Sequence, residues 1–323
     1  MKPKLLRKMA GLIGLSLVGT TALAQTFPVK PIHLIVPLGA GGASDIVARV
    51  LAEKLGERLG YAVVVENRPG AEGIIGMDAA AKSAPDGHTL VLGSSTTLAA
   101  NFSLRNKLPF HPVNDFAPVA TAFKNGFNML VINPNVPAQN LKEFIALAKA
   151  KPGTMFYGTG TSGSKICTEM FKTMAGINLT MVNYKSSPLA LNDLMGGQVQ
   201  LVCEPVGTAM PVVKAGRLRA LGTTSPARPA GAPNVPTVAE AGLPGFEYSA
   251  WVGVFAPAGT PAAVIDKLST EIGAALRLPD TAAKIENAGF DPMIGGPDVL
   301  AALLKSEMAR AAKVVRDAGI KPE

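Results

Sequence analysis

Short apolar runs rich in β-branched residues alternate along the chain with longer amphipathic stretches. Runs at residues 32–36, 62–66 and 89–92 predict buried strands, and the stretches at 44–59 and 73–81 predict helices between them. This strand-helix-strand-helix-strand order predicts a parallel sheet with right-handed crossovers. Ligand loops are then expected at the carboxyl ends of the strands.

The same order of elements recurs further along the chain. The predicted elements of this second half are a strand at 155–157, a helix at 164–175, a strand at 179–183, a helix at 188–195 and a strand at 200–203. A strand at 127–133 and a helix at 140–150 are predicted between the two halves. The chain is therefore expected to hold two similar α/β halves, each a mainly parallel sheet flanked by helices.

Proline-rich segments separate the halves and follow the second one. Residues 108–118 are rich in Pro and Asn, and the prolines of residues 225–244 preclude a regular ladder. A strand at 248–256 then returns to the first half, and helices at 261–278, 280–288 and 297–318 close the chain. We predict a first domain from residues 25–125 and 251–323 and a second from 126–250, joined by two crossing segments that form a hinge.

The first 24 residues have the pattern of a secretory signal peptide. Four basic residues precede an apolar run at 9–18 that is too short to span a bilayer, and residues 22–24 form a small-residue cleavage site. The mature chain is expected to begin at Gln25, in the periplasm. Because no later apolar run has spanning length, it is expected to be soluble there.

Removal of the leader reduces the formal charge of +8 to +4, since four basic and no acidic residues lie before position 25. The remaining Lys and Arg residues are scattered, and aromatic residues make up only 5% of the chain. No basic stripe or stacking platform for nucleic acid is present. A mild positive field suits small anions instead.

The cysteines, Cys167 and Cys203, could form a disulfide or remain as buried thiols in an oxidising compartment. Free thiols are favoured, because a domain of this size needs no covalent cross-link. His33, His88 and His111 stand alone, so neither a zinc site nor any other cofactor is expected. Core packing is predicted for His33, which falls inside the first strand.

A glycine-rich turn, VPLGAGGASD, joins the first predicted strand to the first helix. Backbone N–H groups at a helix start attract a carboxylate or phosphate, and glycines let the backbone approach it. Alternatively, Ser44 or Asp45 simply caps the helix. The turn lacks the Gly-Lys-Ser/Thr of a phosphate-binding loop, and Ser44 replaces the third glycine of a dinucleotide fingerprint, so NAD and ATP are not expected.

A second loop, YGTGTSGS, occupies the corresponding place in the second half and favours the anion-binding interpretation. If the halves face each other, two helix starts converge on one cleft, which suits a dicarboxylate. Polar residues at other strand ends could face the same cleft or serve only as caps. The candidate ligand-binding residues are Leu38, Gly39, Ala40, Gly41, Gly42, Ala43, Asp45, Ser94, Ser95, Thr159, Thr161, Ser162, Ser164, Lys165, Ser186 and Glu204.

An exported α/β hydrolase that uses Ser162 or Ser164 as its nucleophile is the alternative. The sequence Gly160-Thr-Ser-Gly163 does not form G-x-S-x-G, and no histidine falls in a helpful context. A hydrolase is therefore the weaker class. An adhesin has little support, because no repeat or charge tract suggests one.

From about Phe27 to the C-terminus the chain resembles the Bug or TctC family, the extracytoplasmic solute-binding proteins of tripartite tricarboxylate transporters. The resemblance rests on several segments in order: KPIHLIVPLGAGGASDIVARVLAEKL, VVVENRPGAEGIIG, APDGHTLVLG, LPFHPVNDFAP, GGQVQLV, KAGRLRALGTTSPAR, PNVPTVAEAGLPGFE and FAPAGTP. It implies a two-domain Venus-flytrap protein, expected to be a monomer, that captures a small organic acid and delivers it to a membrane permease. It also implies a non-enzymatic protein without a metal.

The resemblance further implies that the loop at 38–45 holds one carboxylate through backbone groups and bridging waters, and that the loop at 159–164 contributes from the other domain. Relatives often have His shortly after the second loop, where this chain has Lys165, which could meet a distal carboxylate. Residues 126–127 and 251–253 flank the crossings. They either line an apolar space for an aromatic dicarboxylate such as terephthalate or serve hinge and core packing.

Overall fold

The computed structural model describes residues 27–41, 43–125, 128–229, 231–288 and 290–322, so the predicted leader lies outside the described residues. The strands are β1 (Ile32–Val36), β2 (Val63–Asn67), β3 (Thr89–Ser94), β4 (Phe116–Asn125), β5 (Asn128–Ile132), β6 (Phe156–Thr159), β7 (Thr180–Asn183), β8 (Leu201–Pro205), β9 (Arg219–Thr223), β10 (Ala250–Pro257) and β11 (Asp291–Pro292). The helices are α1 (Ala43–Leu59), α2 (Ile74–Ala81), α3 (Asn101–Leu104), α4 (Leu141–Ala150), α5 (Ser162–Ala175), α6 (Ser187–Met195), α7 (Val206–Lys214), α8 (Val238–Ala241), α9 (Ala262–Leu276), α10 (Pro279–Asn287) and α11 (Pro297–Asp317). A wider helical segment, Ser95–Ala100, leads directly into α3.

The strands form two sheets, in the orders β11-β4-β10-β3-β1-β2 and β7-β6-β8-β5-β9. We call the first sheet and the helices packed on it the first lobe, and the second sheet and its helices the second lobe. In each lobe three strands are parallel, with β1 between β2 and β3 and with β6 between β7 and β8. The remaining strands add antiparallel pairs, so each sheet is mixed.

The two parallel triplets have the same connectivity, which confirms the two similar halves predicted from the alternation of strands and helices. The chain runs β1-α1-β2-α2-β3 in the first lobe and β6-α5-β7-α6-β8 in the second. In both, the first strand lies between the other two, so the order of strands reverses beside it. Ligands of open α/β sheets bind beyond the carboxyl ends of the strands at such a reversal.

Local capping sets the bounds of several helices. The side chain of Asn140 accepts a hydrogen bond from the Glu143 amide at 3.0 Å and begins α4. Helix α5 ends at Gly176, whose φ of 61° is the left-handed conformation that favours glycine at a helix end. Helix α11 begins with Pro297, because a proline at the first position loses no intrahelical bond.

Each lobe has an apolar core between its sheet and helices, and α11 contributes to both lobes. Its Leu300 and Leu304 pack with first-lobe residues, whereas Ala311, Val314 and Val315 pack against the core of the second lobe. The last helix therefore fastens one lobe to the other in addition to the crossing segments.

The crossing segments lie side by side and are tied together by Thr224, which is fully buried. Its amide donates to the Asn128 carbonyl at 2.8 Å, and its hydroxyl accepts from the Asn128 amide at 3.0 Å. The Tyr248 amide donates to the Thr224 carbonyl at 2.8 Å. Residues 126 and 127 lie outside the described residues, and the domain boundaries at 125/126 and 250/251 stay a prediction.

Two predictions about single residues are wrong. Cys167 and Cys203 form a disulfide with a Cα–Cα distance of 6.4 Å, because α5 packs directly on β8 and both side chains enter the same core. His33 is exposed rather than packed in the core. His33 lies near the start of β1. Helix α2 packs closely, through Gly76, against Pro37, which follows the other end of the strand, and so does not cover His33.

Candidate functional site

The predicted ligand loops lie at the carboxyl ends of the parallel strands. A loop follows β1 in the first lobe and β6 in the second, whereas β3 and β8 turn directly into the helical segment Ser95–Ala100 and into α7. Helix α5 and the helical segment Ser95–Ala100 meet where the lobes face each other. Gly163 of α5 packs there against Thr96, and a Cβ added at Gly163 would lie 2.5 Å from the Thr96 hydroxyl oxygen.

The loop after β1 is held by the carboxylate of Asp45, which is only 4% exposed. Asp45 accepts the Gly41 amide proton at 2.9 Å and forms an ion pair with Arg49 at 3.0 Å. Burial acts to raise the pKa of Asp45, but hydrogen bonds from Arg49, Gly41 and Asn67 outweigh it and lower that pKa. This carboxylate therefore shapes the loop and stays ionised.

The backbone of the same loop remains accessible. Gly39, Ala40 and Gly41 are exposed, and Leu38 is half-buried. A Cβ added at Gly39 would meet no atom within 4 Å. Gly42 and the side chain of Ala43 lie outside the described residues, so their predicted contacts stay predictions.

The turn from β3 into the helical segment Ser95–Ala100 is closed by a reciprocal cap. The Thr97 amide donates to the Ser94 hydroxyl at 3.1 Å, and the Ser94 amide donates to the Thr97 hydroxyl at 3.0 Å. The neighbouring Ser95 is 1% exposed, and its hydroxyl has no hydrogen-bond partner among the described residues. Ser94 thus builds the turn, whereas Ser95 leaves a buried polar atom to be satisfied.

The loop after β6 uses most of its hydroxyls internally. Thr159 donates to the Thr161 carbonyl at 2.9 Å, and Thr161 accepts the Ser164 amide proton at 3.1 Å as the N-cap of α5. Ser164 donates to the Cys203 carbonyl at 2.8 Å. These three predicted ligand contacts therefore also form the scaffold of the site.

Ser162 instead reaches the other lobe. Its hydroxyl forms hydrogen bonds with the Glu72 carboxylate and, at 2.8 Å, with the side-chain oxygen of Asn101. The side chain of Arg105 lies 3.6 Å from the same Glu72 carboxylate. The opening around these groups is lined by Glu72, Leu104, Arg105, Thr161, Ser162, Lys165 and Asn183.

The sequence did not single out Glu72, Asn101, Arg105 or Asn183 as site residues. Glu72 follows a Pro-Gly pair that indicates only a turn, and Arg105 lies in a stretch without a motif. For Asn183 the signal in the sequence was its position. It is the last residue of β7 and lies at the same edge of the sheet as the predicted loops.

Glu204, at the carboxyl end of β8, is 3% exposed. Burial raises its pKa to about 7, against the effect of hydrogen bonds from Thr208 and Ser187. Thr208 donates to one carboxylate oxygen at 2.9 Å, and the other, Oε2, has no partner among the described residues. Ser186 stands at the N-cap position of α6 without a capping hydrogen bond from its side chain.

Neither candidate nucleophile hydrogen-bonds to a histidine within the described part of the chain. Ser162 and Ser164 contact carboxylate, amide and carbonyl oxygens, none of which forms a serine-histidine pair. Among these residues, no group of three His, Cys, Asp or Glu side chains could hold a metal ion. Within the same ranges, none of the helices has the length and apolar character needed to cross a membrane.

Trp251, for which the sequence leaves open a place beside the ligand or in the core, lies in the core of the first lobe. It is 4% exposed and packs against Phe255, with ring centroids 6.4 Å apart. Of the two interpretations of this residue, the contacts favour core packing. Phe127 lies outside the described residues.

Two mixed α/β sheets with polar loops facing one cleft define the periplasmic-binding-protein class. Residues 47–320 match the family described as the tripartite tricarboxylate transporter family receptor, TctC. The chain is 40% identical to protein BugT of Bordetella pertussis over 301 residues, which are 92% of this chain and 92% of BugT. The chain belongs to this receptor family.

Solved structures show the same fold. A structure of R. palustris Rpa4515 with adipate has a TM-score of 0.83 and 33% identity, and covers 92% of this chain and 100% of its own. A structure of MatC from Rhodopseudomonas palustris with bound malate has a TM-score of 0.79 and 32% identity, and the match covers 90% of this chain and 100% of MatC. The predicted fold class and family are confirmed, and this chain is a solute-binding receptor rather than an enzyme.

Proposed function

We propose that this chain captures a small dicarboxylate between its lobes in the periplasm and delivers it to the membrane subunits of a tripartite tricarboxylate transporter. The observation that carries the proposal is the meeting of strand-end loops from both lobes at one cleft. Beside these loops, at the carboxyl ends of β3 and β8, lie two buried polar atoms, Ser95 Oγ and Glu204 Oε2, that lack a partner among the described residues. Buried polar groups are normally paired, so a polar ligand or water is expected beside them.

The chemistry of the cleft suits a ligand with two separated carboxylates. Backbone N–H groups after β1 can hold one carboxylate, and the hydroxyls of Thr161 and Ser162 together with Lys165 at the start of α5 can hold the other. Adipate and malate, which accompany the two similar solved structures, are both dicarboxylates. We assign the backbone of residues 38–41 and the side chains of Thr161, Ser162 and Lys165 to these two roles, whereas Asp45, Thr159 and Ser164 hold the two loops in shape.

We favour an aliphatic over an aromatic dicarboxylate. The indole of Trp251 packs in the core, so it is not offered to the ring of an acid such as terephthalate. Terephthalate therefore serves as the second ligand class in the test.

Export is part of the proposal and has its own test. Cleavage of the leader predicts that the protein isolated from the periplasmic fraction begins at Gln25, which intact-mass measurement and N-terminal sequencing establish. A protein that retains residues 1–24 in the cytoplasmic fraction would contradict export.

The binding test is a thermal-shift screen of the mature chain against mono-, di- and tricarboxylates, including adipate, malate and terephthalate, followed by calorimetry. At a ligand concentration about 100 times Kd, stabilisation is about 2.7 kcal/mol. Burial of ligand and lobe surfaces gives a negative heat-capacity change on binding.

A matched pair of variants locates the site. Gly39→Val places a side chain where no protein atom lies within 4 Å, so it is expected to leave the fold intact and abolish binding by occupying the ligand space. Gly196→Val, at the far end of α6, meets only ordinary contacts and is expected to bind as the wild type does. If the folded wild type binds none of the acids, the proposed function is wrong.

A further inference from the structure

The loop between β2 and α2 has an unusual backbone. Gly70, Ala71, Glu72 and Gly73 have φ values of 134°, 45°, 56° and 92°. Ala71 and Glu72 are not glycines, and a left-handed conformation costs such residues about 1 kcal/mol or more each. Such a conformation persists only where the surrounding contacts hold it.

The backbone of this loop is held from within its own lobe. The side-chain amide of Asn101 donates to the Glu72 carbonyl at 3.1 Å. Gly73 lies so close to Thr97 that an added Cβ would be 2.7 Å from its methyl carbon. These contacts fix the loop against the helical segment Ser95–Ala100 and direct the carboxylate of Glu72 outward.

The side chain of Glu72 then crosses to the other lobe. Its carboxylate accepts the hydroxyl proton of Ser162, a residue 90 positions further along the chain, and lies beside Arg105 of its own lobe. The Ser162 hydroxyl has one proton, and the side-chain oxygen of Asn101 at 2.8 Å is a second acceptor for it. The Glu72 carboxylate therefore accepts the hydroxyl proton of Ser162, which the proposed site would otherwise donate to a ligand carboxylate.

We propose that Glu72 is a tethered carboxylate that holds the cleft closed without a ligand and is displaced when a ligand carboxylate takes over Ser162. The displaced side chain keeps its own counterion, because Arg105 belongs to the same lobe. Contact between Glu72 and Ser162 stabilises the closed arrangement, which lowers the fraction of molecules open to the ligand. The competition with a ligand rests on the proposed function, whereas the lobe contact does not.

The ligand-free protein provides the first test. Glu72→Ala removes the carboxylate but retains the same backbone cost, and Glu72→Gln retains the shape and removes the charge. Solution X-ray scattering is expected to give a larger radius of gyration for Glu72→Ala than for the wild type, and a smaller increase for Glu72→Gln, whose amide oxygen still accepts the Ser162 proton. The control is Glu66→Ala on β2, whose 40%-exposed carboxylate pairs with Arg68 and whose loss should leave the scattering unchanged.

Calorimetry with a dicarboxylate that binds the wild type provides the second test. If the open fraction is about one tenth in the wild type, release of the tether lowers the apparent Kd about tenfold in Glu72→Ala. Circular dichroism is used to establish that each variant is folded. Glu72→Leu removes the carboxylate but retains side-chain bulk, and its apparent Kd is expected to match that of Glu72→Ala.

The outcomes separate this proposal from the proposed function. Unchanged scattering of both folded variants, or weaker binding by Glu72→Ala, would overturn the tether, the latter because Glu72 would then be a ligand contact. Those results leave the binding function of the wild type intact. Conversely, a wild type that binds no carboxylate contradicts the proposed function, while the scattering comparison still decides whether Glu72 holds the lobes together.

Discussion

At the residue scale, Glu204 couples the cleft to pH. Its carboxyl group is buried beside Ser187 and Thr208, and burial raises its pKa from the usual 4.5 to about 7. Burial outweighs the hydrogen bonds from the Thr208 and Ser187 hydroxyls, which act to lower the pKa. The folded protein therefore holds this proton more tightly than the unfolded chain does.

We predict that the free energy of unfolding falls as pH rises from about 4.5 to 7, because the unfolded chain releases the Glu204 proton first. At pH 8 ionisation of Glu204 is expected to have lowered the free energy of unfolding of the wild type by up to about 3 kcal/mol, relative to its value below pH 4.5. Glu204→Gln remains neutral and is expected to lack this loss. Urea denaturation of both proteins at several values between pH 4.5 and 8 measures the difference.

The exposed Glu66→Gln change serves as the control, since loss of its surface ion pair with Arg68 should change the free energy of unfolding by less than about 1 kcal/mol. Parallel curves for Glu204→Gln and the wild type would show that Glu204 has the same pKa in the folded and the unfolded chain, contrary to the prediction.

The sequence located the ligand loops but not the use of each side chain in them. The order of strands and helices placed Ser162 and Ser164 at the start of one helix. Ser164 forms a hydrogen bond with Cys203 of its own lobe, whereas Ser162 forms one with Glu72 of the other. Glu72 and Arg105 were missed, because their role depends on a contact across 90 residues of sequence. Local spacing carries no information about such a pairing.

At the element scale, the disulfide joins α5 to β8 and thereby fixes the helix that carries Ser162. Cys167 lies in the middle turns of α5, and Cys203 lies one residue before Glu204. Both are fully buried, with a separation of 36 residues along the chain. The cross-link therefore closes a loop that contains β7 and α6 as well.

We predict that Cys167→Ala combined with Cys203→Ala lowers the free energy of unfolding by about 2–4 kcal/mol, because the cross-link restricts the unfolded chain. Urea denaturation without reductant measures the loss. In excess reductant the wild type and the variant should differ much less, which is the control. Two titratable thiols in the unreduced, denatured wild type would contradict the disulfide.

Most elements could be predicted from periodicity, and the missed ones have physical reasons. β4 was not predicted as a strand, because Pro118 interrupts its start and the preceding segment is rich in turn residues. Helix α7 contains Pro211, and β9 is a short run after a glycine turn. The fold stabilises these segments through sheet partners that lie far away in sequence.

At the scale of the whole molecule, the repeated strand order could be derived from the sequence, but the joining of the lobes could not. Alternation of strands and helices predicts each parallel triplet. The antiparallel strands, the crossing contacts of Thr224 and the reach of α11 into the second lobe all depend on tertiary packing. The relative placement of the lobes is thus set by a few long-range contacts.

Gly163 is one of these contacts, and no larger residue fits there without movement. An alanine Cβ would lie 2.5 Å from Thr96 Oγ1 and 3.2 Å from the Tyr248 hydroxyl. Thr96 belongs to the first lobe, and Gly163 lies in the first turn of α5 in the second. Close approach of the lobes therefore requires the absence of a side chain at this position.

We predict that Gly163→Ala and, more strongly, Gly163→Val separate the lobes and weaken ligand binding. Alanine normally stabilises a helix by about 0.5–1 kcal/mol relative to glycine, so Gly273→Ala in α9, which meets only the flexible end of Arg277, should stabilise the protein without changing affinity. Gly163→Ala should fail to show this gain, because Thr96 must move. Thermal unfolding and calorimetry compare the two variants, and equal stabilisation with equal affinity would mean that the lobes do not need this close contact.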